Sequence, residues 1–475
     1  MVLQVDFELT AEALRPAMDR MWNLSAGKLR AMAQRIRFDD GVPVFTENGR
    51  YRPQPWTDWT GGFYIGSLLL QFDATDDEAF WHAGREAALR YGPEAVTHFG
   101  VHDHGFNTVS SFGNLLRLVN EGRVSVSAAE RDLYEFAVKC SASVQAMRWT
   151  TTADGMGFIH SFNGPHSLFI DTLRTLRVLA LAYRLGHTPH GENDDPICLL
   201  ERLVQHATVT ARYNVFYGEG RDIYDEPGRV AHESIFNVRD GRYRCPSTQQ
   251  GFSPFSTWTR GLAWAILGFA ELLEFLSRVP DDELDGLGGR REIEGRLRRA
   301  ADVVCNYYLE NTPTDGIPYW DTAAPGLVQL GAYLDRPADP FNEFEPVDSS
   351  AAAIAAQGLM RFGVWLREYS ANDEPTEAGQ GGRLFFQAGL TILGRLLQEP
   401  YLSTSPDHEG LLLHALYHRP RGWDHVPEGH EIPHGEATMW GDYHLREACV
   451  YVARLDGSRP YCTFFSGIGG QQETV

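Results

Sequence analysis

The segment 258–276 constrains the fold of this chain more than any other. One apolar stripe recurs at intervals of three and four residues, the spacing of a helix face, and consists of Trp258, Leu262, Ile266, Phe269, Leu273 and Leu276. A second apolar set lies beside it and consists of Ala263, Trp264, Leu267 and Ala270. Glu271 and Glu274 mark a narrow polar strip. Because a helix that is apolar on most sides is buried on most sides, the segment predicts an inner helix of a layered helical fold.

Helical periodicity also dominates the rest of the chain. The stretch 289–299 is strongly polar and predicts the start of an outer helix. Inner and outer helices together predict an all-α fold of antiparallel hairpins closed into a toroid. An open α-solenoid is the alternative layout, but the sequence has no fixed-period repeat to support it. No connector is long or polar enough to divide the chain, so residues 1–475 are predicted to form a single domain. The predicted helices are 8–36, 59–73, 76–91, 104–121, 126–147, 166–186, 195–212, 256–279, 290–312, 348–370, 380–399 and 438–455.

Composition argues against two classes of partner. The formal net charge is −21, whereas sequence-independent nucleic-acid binding depends on Lys and Arg that neutralise phosphates. The same acidic surface argues against an anionic membrane, and no apolar run approaches the length of a membrane span.

The first ten residues have neither a basic n-region nor an apolar h-region, so no signal peptide is predicted. The six cysteines are scattered without a CxxC pair, which is typical of free thiols in a reducing compartment and predicts a cytoplasmic protein.

Two short motifs in the first quarter of the chain are candidates for chemistry. Trp59 and Phe63 are four residues apart at a helix start and share a face; they could line a binding site or simply fill the core. His102, Asp103 and His104 form an HxH pattern, but a catalytic metal needs three well-placed ligands, so no metal is predicted. Asp103 could equally cap the helix that follows it.

Two further stretches combine charge with apolar surroundings. Asp171 lies within an apolar segment that is predicted to be helical. Burial of a carboxylate disfavours its charged form and raises its pKa, which suits a general acid at neutral pH; a hydrogen bond to a neighbouring loop amide is the structural alternative. Trp258, Arg260 and Trp264 open the most apolar helix. A guanidinium near two indoles suits carboxylate recognition, or a cation–π contact that serves only stability.

These motifs, taken in order, resemble a known family. The stretch TQQGFSPFSTWTRGLAWAILGFAELL (248–273) is similar to the signature of the unsaturated glucuronyl hydrolases of glycoside hydrolase family 88, which are (α/α)6 barrels with six helical hairpins. The resemblance covers most of the chain. The other matching stretches are WTGGFYIG (59–66), VHDHGF (101–106), FIDTL (169–173), IPYWD (317–321), VDSSAAAIAAQGL (347–359) and MWGDYHLREA (439–448).

The resemblance implies a function and a set of residues. The substrate would be an oligosaccharide ending in a 4,5-unsaturated uronic acid, and no cofactor would be needed. Asp171 would be the general acid and base, with Asp103 as its partner carboxylate. The reaction would hydrate the C4=C5 enol ether rather than attack the anomeric carbon as ordinary glycosidases do. The resemblance implies that the uronate is bound by His232, Gln250 and Arg260, between aromatic walls formed by Trp59, Phe63, Trp258 and Trp264.

The sequence departs from the family pattern in places. Arg174 and Thr175 stand where an Asn is usual after the second aspartate, and Leu262 replaces a Gln. The stretch 434–439 lacks the Ser/Lys pattern associated with sulfated substrates. The sugar attached to the uronate and the oligomeric state therefore stay open.

Three alternatives remain beside this interpretation. An unsaturated rhamnogalacturonyl hydrolase would share the barrel and the reaction type but would act on another sugar. A sugar epimerase on the same toroid would need a paired-histidine arrangement that the sequence does not clearly contain. A non-catalytic carbohydrate-binding scaffold would require Asp103 and Asp171 to be structural, since a fold alone does not fix a function.

Overall fold

A computed structural model of the protein describes residues 2–55, 59–369 and 377–455. Residue 370 of one predicted helix and Cys462 lie outside the described residues. Among the residues described, no helix is both long and apolar enough to cross a membrane. The helices are α1 (Ala11–Arg35), α2 (Gly61–Thr75), α3 (Glu78–Val96), a π-helix (Gly105–Gly113), α4 (Asn114–Asn120), α5 (Ala128–Met147), α6 (Thr172–Thr175), α7 (Arg177–Arg184), α8 (Leu199–Tyr213), α9 (Thr259–Leu276), α10 (Asp281–Asp285), α11 (Arg290–Glu310), α12 (Ser349–Tyr369), α13 (Glu377–Leu396) and α14 (Met439–Arg454).

The inner helices form a closed ring. Along the chain, α2, the π-helix, the α6–α7 pair, α9, α12 and α14 each pack against the next, and α14 returns to α2. The outer helices alternate with the inner ones in sequence, and five of them lie against the inner helix that precedes them: α3 on α2, α5 on the π-helix, α8 on α7, α11 on α9 and α13 on α12. The first helix of the chain, α1, completes the outer layer by packing against the last inner helix, α14. This alternation is the predicted (α/α)6 barrel.

Burial follows the predicted division into two layers. Every residue of α9 is buried, as the all-round apolar pattern of 258–276 predicts. The outer helix α11 begins with a polar turn and buries one face only. Except for 166–186, the predicted helices are confirmed, with ends that shift by a few residues.

Short strands in the connectors were not predicted. Three of them form one antiparallel sheet in the order β5–β6–β7, and the other four form two hairpins. The strands are β1 (Val42–Glu47), β2 (Arg50–Gln54), β3 (Trp149–Thr151), β4 (Gly157–Ile159), β5 (Ser167–Phe169), β6 (Glu233–Phe236) and β7 (Tyr243–Ser247).

The predicted helix 166–186 is wrong in its first part. Residues 167–169 pair with β6 instead, and the amide of Ile170 donates a hydrogen bond to the carbonyl of His232 at 2.9 Å. The backbone becomes helical only after Asp171. Asp171 therefore lies at a strand-to-helix junction and not inside a long helix, because pairing with β6 satisfies the amides that a helix would otherwise use.

The π-helix and α6 approach each other closely at Gly105. A Cβ atom on Gly105 would lie 2.0 Å from the carbonyl oxygen of Thr175, well inside van der Waals contact. The absence of a side chain at Gly105 thus lets the segment that carries Asp103 lie against the segment that carries Asp171.

We predict that Gly105→Ala destabilises the protein. The added methyl must push α6 away, and overpacking of this kind costs about 1–3 kcal/mol. Denaturant unfolding followed by circular dichroism measures the effect. Gly27→Ala is the matched control, since nothing lies within 4 Å of a Cβ there and alanine favours a helix over glycine. An unfolding free energy of Gly105→Ala equal to that of the wild type would contradict this packing.

Candidate active site

A small cavity opens where the loop before the π-helix, the β5–α6 junction and the start of α9 meet. Its volume is about 50 Å³, room for a water molecule or two and less than a sugar ring needs. Phe162 stands at the surface, with about half of its area exposed. The lining residues are Trp59, His102, Asp103, Phe106, Phe162, Phe169, Asp171, Gln250, Trp258, Arg260 and Trp264.

Larger grooves lie on the outside of the barrel, but their chemistry is different. The groove between α1 and α14 has a volume of about 390 Å³ and includes Asp73 and Arg454. These two residues form an ion pair at 2.7 Å, and the pKa of Asp73 falls to about 2 because three arginines outweigh its burial. A carboxylate held ionised by arginines is typical of structure rather than of acid–base chemistry.

Asp103 and Asp171 share one neighbour, His102. The Nε2 atom of His102 lies 3.1 Å from Oδ1 of Asp171 and 3.7 Å from Oδ1 of Asp103. All three side chains are buried. The structure therefore brings together the two predicted carboxylates, which are 68 positions apart in sequence, around one imidazole nitrogen.

The two carboxyl groups differ in proton affinity. Burial and the negative charge of Asp171 raise the pKa of Asp103, against the opposing effect of His102 and Arg148. Burial also acts to raise the pKa of Asp171, but the hydrogen bond and charge of His102, with smaller effects from His232 and Arg260, hold it below its ordinary value. Burial, the contribution that the apolar sequence around Asp171 indicates, is thus outweighed in the structure, mainly by His102.

His232 lies immediately before β6, and the pairing of β6 with β5 brings it close to the site. Its Nδ1 accepts a hydrogen bond of 2.9 Å from the amide of Gln249. Its ring packs against Phe169 and Trp258, with centroids 4.4 and 4.9 Å away, and it is not among the residues that line the cavity. Burial lowers the pKa of His232 to about 4, so the ring is neutral at neutral pH.

Arg260 lies at the cavity wall but is held from behind. Its Nη1 is 2.8 Å from Oδ2 of Asp348, and both side chains are almost fully buried. The same guanidinium donates to the carbonyls of Leu416 and Tyr417, each at 2.6 Å, and to Oε1 of Gln250 at 2.9 Å. Asp348 therefore balances much of the positive charge that the resemblance assigns to uronate binding.

The aromatic walls differ in detail from the prediction. The indoles on the Arg260 guanidinium belong to Trp258, at 4.7 Å, and to Trp440, at 5.0 Å. Trp264 packs on Phe106 and His444 instead, with centroids 4.8 and 5.0 Å away. Trp264 still lines the cavity.

Trp59 and Phe63 lie at different depths, since Trp59 is part of the cavity wall and Phe63 lies behind it. Trp59 lines the cavity and stacks on Trp440 with centroids 4.7 Å apart. Phe63 is fully buried behind Trp59 and Phe106 and contacts Tyr443 of α14. The prediction that Phe63 forms an aromatic wall is therefore corrected, since Trp59 and Phe106 line the cavity and Phe63 packs behind them.

Several wall residues were missed from the sequence. His102 and Phe106 belong to the same motif as Asp103, so their proximity could have been inferred. Phe169 lies two positions before Asp171, which places it near the site once β5 is known. Phe162 lies in an irregular connector, and no periodic signal could have indicated it.

His104 does not join His102 at the site. Its Nδ1 is 2.7 Å from Oγ of Ser141 and its Nε2 is 2.9 Å from the carbonyl of His98. Burial lowers its pKa to about 4. His104 thus ties the loop to α5, and within the described ranges no three His, Cys, Asp or Glu side chains form a metal-binding group.

Arg174, the departure from the family pattern, lies deeper in the barrel. It is fully buried, and its guanidinium pairs with Glu271 at 2.8 Å and Glu447 at 3.0 Å. These ion pairs join α6 to α9 and α14. The residue therefore serves the inner ring and does not line the cavity.

The fold and the cavity define an (α/α)6-barrel protein whose site is built on two buried carboxylates among aromatic rings. No family model matches the chain. It is 24% identical over 397 residues to an unsaturated glucuronyl hydrolase of Formosa agariphila, covering 83% of this chain and 80% of that protein. It is 25% identical over 446 residues to an unsaturated glucuronyl hydrolase of a Bacillus species, covering 91% and 97%. An unsaturated chondroitin disaccharide hydrolase of Streptococcus agalactiae is 24% identical over 412 residues, covering 85% and 84%.

Solved structures agree with these relatives in fold. The crystal structure of the Bacillus unsaturated glucuronyl hydrolase matches with a TM-score of 0.66 and 23% identity, over 93% of this chain and 96% of that one. An unsaturated glucuronyl hydrolase specific for heparin matches with a TM-score of 0.70 and 18% identity, over 94% and 99%. The predicted resemblance to the unsaturated glucuronyl hydrolases is confirmed, as is the predicted barrel.

We predict that Asp348→Asn strongly destabilises the protein. Removing one partner of a buried ion pair leaves an uncompensated charge and costs about 3–5 kcal/mol. The unfolding free energy in urea measures the loss. Asp39→Asn is the matched control, because its pair with Arg90 is exposed and such pairs contribute about 0–1 kcal/mol. Equal losses in the two variants would show that Arg260 does not depend on Asp348.

Proposed function

We propose that this protein is a hydrolase that releases terminal 4,5-unsaturated glucuronic acid from oligosaccharides produced by polysaccharide lyases. The observation that carries the proposal is the pair of buried carboxylates, Asp103 and Asp171, joined by His102 in an aromatic cavity. Relatives named for this activity, which span four fifths or more of the chain, support the same substrate class.

The reaction is hydration of an enol ether. Asp171 protonates C4 of the unsaturated uronate, and positive charge develops at C5. Water then adds at C5 and returns a proton to Asp171, after which the hemiketal opens and releases the sugar. Asp171, ionised once it has given up its proton, and the aromatic faces around it stabilise the positive charge while it exists.

Asp103 is the partner carboxylate in this scheme. Its pKa is raised while that of Asp171 is lowered, a separation that marks two different roles for two neighbouring carboxyls. Because the two groups and His102 interact strongly, they titrate as one unit. As the family resemblance implies, Asp103 contacts the substrate hydroxyls next to the reacting double bond, and Asp171 acts on C4.

The remaining residues bind the sugar. Arg260 and Gln250 hold the uronate carboxylate, with the Gln250 amide oriented by its bond to Arg260. Trp59, Trp258 and Trp264 enclose the ring, while Phe63 and His232 support them from behind. The cavity is smaller than a sugar ring, so a sugar ring enters only if the side chains at its mouth move apart.

We also infer one domain and a cytoplasmic location. The packing of α14 on α2 and of α1 on α14 joins the two ends of the described chain in one ring, which supports a single catalytic domain over 1–475. The five cysteines in the described ranges are free thiols, which supports a reducing compartment.

We predict that the protein removes the near-ultraviolet absorbance of unsaturated disaccharides, because hydration destroys the C4=C5 double bond. The assay uses a panel of chondroitin, hyaluronan, gellan, xanthan, ulvan and rhamnogalacturonan lyase products, with heat-treated protein as the control. Preference for the rhamnogalacturonan product would assign the protein to the related rhamnogalacturonyl activity. No loss with any product would contradict an enzymatic function and favour a binding scaffold.

We predict that Asp171→Asn lowers turnover at least about 1,000-fold, since the amide cannot carry the transferred proton and acid–base groups contribute about 10²–10⁴-fold. Binding of the unsaturated disaccharide, measured by calorimetry, should persist because the aromatic walls are unchanged. Asp39→Asn, on the surface, is the control and should keep full turnover. Wild-type turnover in Asp171→Asn would place the acid elsewhere.

A further inference from the structure

His102 occupies the centre of the site, although no substrate contact is assigned to it. Its ring lies between Phe162, nearly parallel at 5.9 Å, and Phe169, perpendicular at 5.5 Å. Its Nε2 faces both carboxylates, whereas its Nδ1 is buried and has no hydrogen-bond partner among the described residues. One side of the imidazole is thus built for a proton shared with carboxylates, and the other side is apolar.

We propose that His102 is a positioning residue that holds the proton which Asp171 delivers to the substrate. The proposal rests on the proposed function and adds a third member to its acid–base group. The geometry that carries it is the single Nε2 atom within reach of both buried carboxylates, in a ring that aromatic contacts fix in place.

Proton transfer along this path is balanced. A proton moves from Nε2 of His102 to the Asp171 carboxylate along the 3.1 Å contact. Asp171 passes it to C4, and the electron pair of the C4=C5 bond forms the new C–H bond, which leaves the cation at C5. When water adds at C5, its proton returns through Asp171 to Nε2. The protein ends the cycle as it began.

The electrostatic surroundings favour this role. Burial acts to lower the pKa of His102, but Asp103 and Asp171 outweigh it and raise that pKa above the ordinary value of 6.5. Nδ1 keeps its hydrogen both before and after the transfer, so the proton that moves is the one on Nε2, which faces the carboxylates. The charged and titratable groups that face His102 are Asp103, His104, Arg148, His160, Asp171, His206 and His232.

A merely structural histidine would behave differently on substitution. The amide of a glutamine side chain can still donate one hydrogen bond to Asp171 but cannot carry a proton at neutral pH. His102→Gln therefore separates the hydrogen bond from the proton. In the variant, Asp171 must take its proton from solvent. Loss of His102 removes the main cause that lowers the pKa of Asp171, but an aspartate of ordinary pKa, about 3.9, is still mostly ionised at pH 7 and becomes protonated only as the pH falls.

The test compares kcat and KM of His102→Gln and wild type from pH 4 to pH 9. We expect kcat of His102→Gln to fall at least about 100-fold at pH 7, with KM within about threefold, and to recover steadily as the pH falls. Wild-type kcat should decline only as the pH rises past 6.5. His82→Gln, on the exposed face of α3, is the control and should match the wild type. Wild-type kcat in His102→Gln at pH 7, or a loss that is the same at every pH, would overturn the proposal.

A substrate-free measurement separates this inference from the proposed function. In protein labelled with ¹⁵N-histidine, the His102 signal is identified by its disappearance in His102→Gln. We expect its titration midpoint to lie above 6.5 in wild type and to drop in Asp171→Asn. A midpoint at or below 6.5 that does not move in Asp171→Asn would refute the proton-holding role, whatever the turnover assays give. Absence of turnover by the wild type on every lyase product would refute the proposed function, while the midpoint would still decide where the proton lies.

Discussion

Two carboxylates buried side by side cannot both be ionised unless a positive group compensates them, because each loses its hydration and each repels the other. In this protein the compensating group is His102, whose Nε2 faces Asp103 and Asp171 at 3.7 and 3.1 Å. The surrounding backbone is folded so that these three groups come together. Gly105 allows the loop before the π-helix to lie on α6, and the pairing of β5 with β6 places Asp171 and His232 at the same edge.

The barrel supplies the rigid frame for this meeting. Its inner helices are held together by apolar packing and also by ion pairs within the ring, such as Arg174 with Glu271 and Glu447. Arg260 is fixed by Asp348, which comes from the start of the next inner helix, so the wall of the cavity is tied to two helices at once. The site residues thus come from different hairpins and are precise only because the ring is closed.

The helical layers could be predicted from sequence because the evidence for them is local. Periodicity alone identified α9 as an inner helix and α11 as an outer one. Strands β5–β7 could not be predicted, since three to five residues give too few alternations, and the apolar run around Asp171 fits a helix equally well. Asp171 therefore lies close to Asp103, as expected, but at a strand-to-helix junction and not inside a helix.

The chemistry of the site could be predicted only in part. The two aspartates and most wall residues were found through ordered motifs, because each motif is short and contiguous. The partners that set their behaviour come from distant parts of the chain: Asp348 for Arg260, Trp440 for Trp59, and His102 for Asp171. Sequence patterns within a single segment carry no information on such contacts, and for this reason the sequence indicates the effect of burial on the pKa of Asp171 but not the opposing effect of His102.

We propose that the protein adds water across the C4=C5 bond and does not cleave the glycosidic bond directly. Turnover of an unsaturated disaccharide in D₂O, followed by proton NMR at early times, tests this most directly. Hydration predicts one deuterium installed at C4 on a single face as the sugar is released. Release of the sugar while the uronate keeps its C4=C5 bond, with no deuterium at C4, would contradict it.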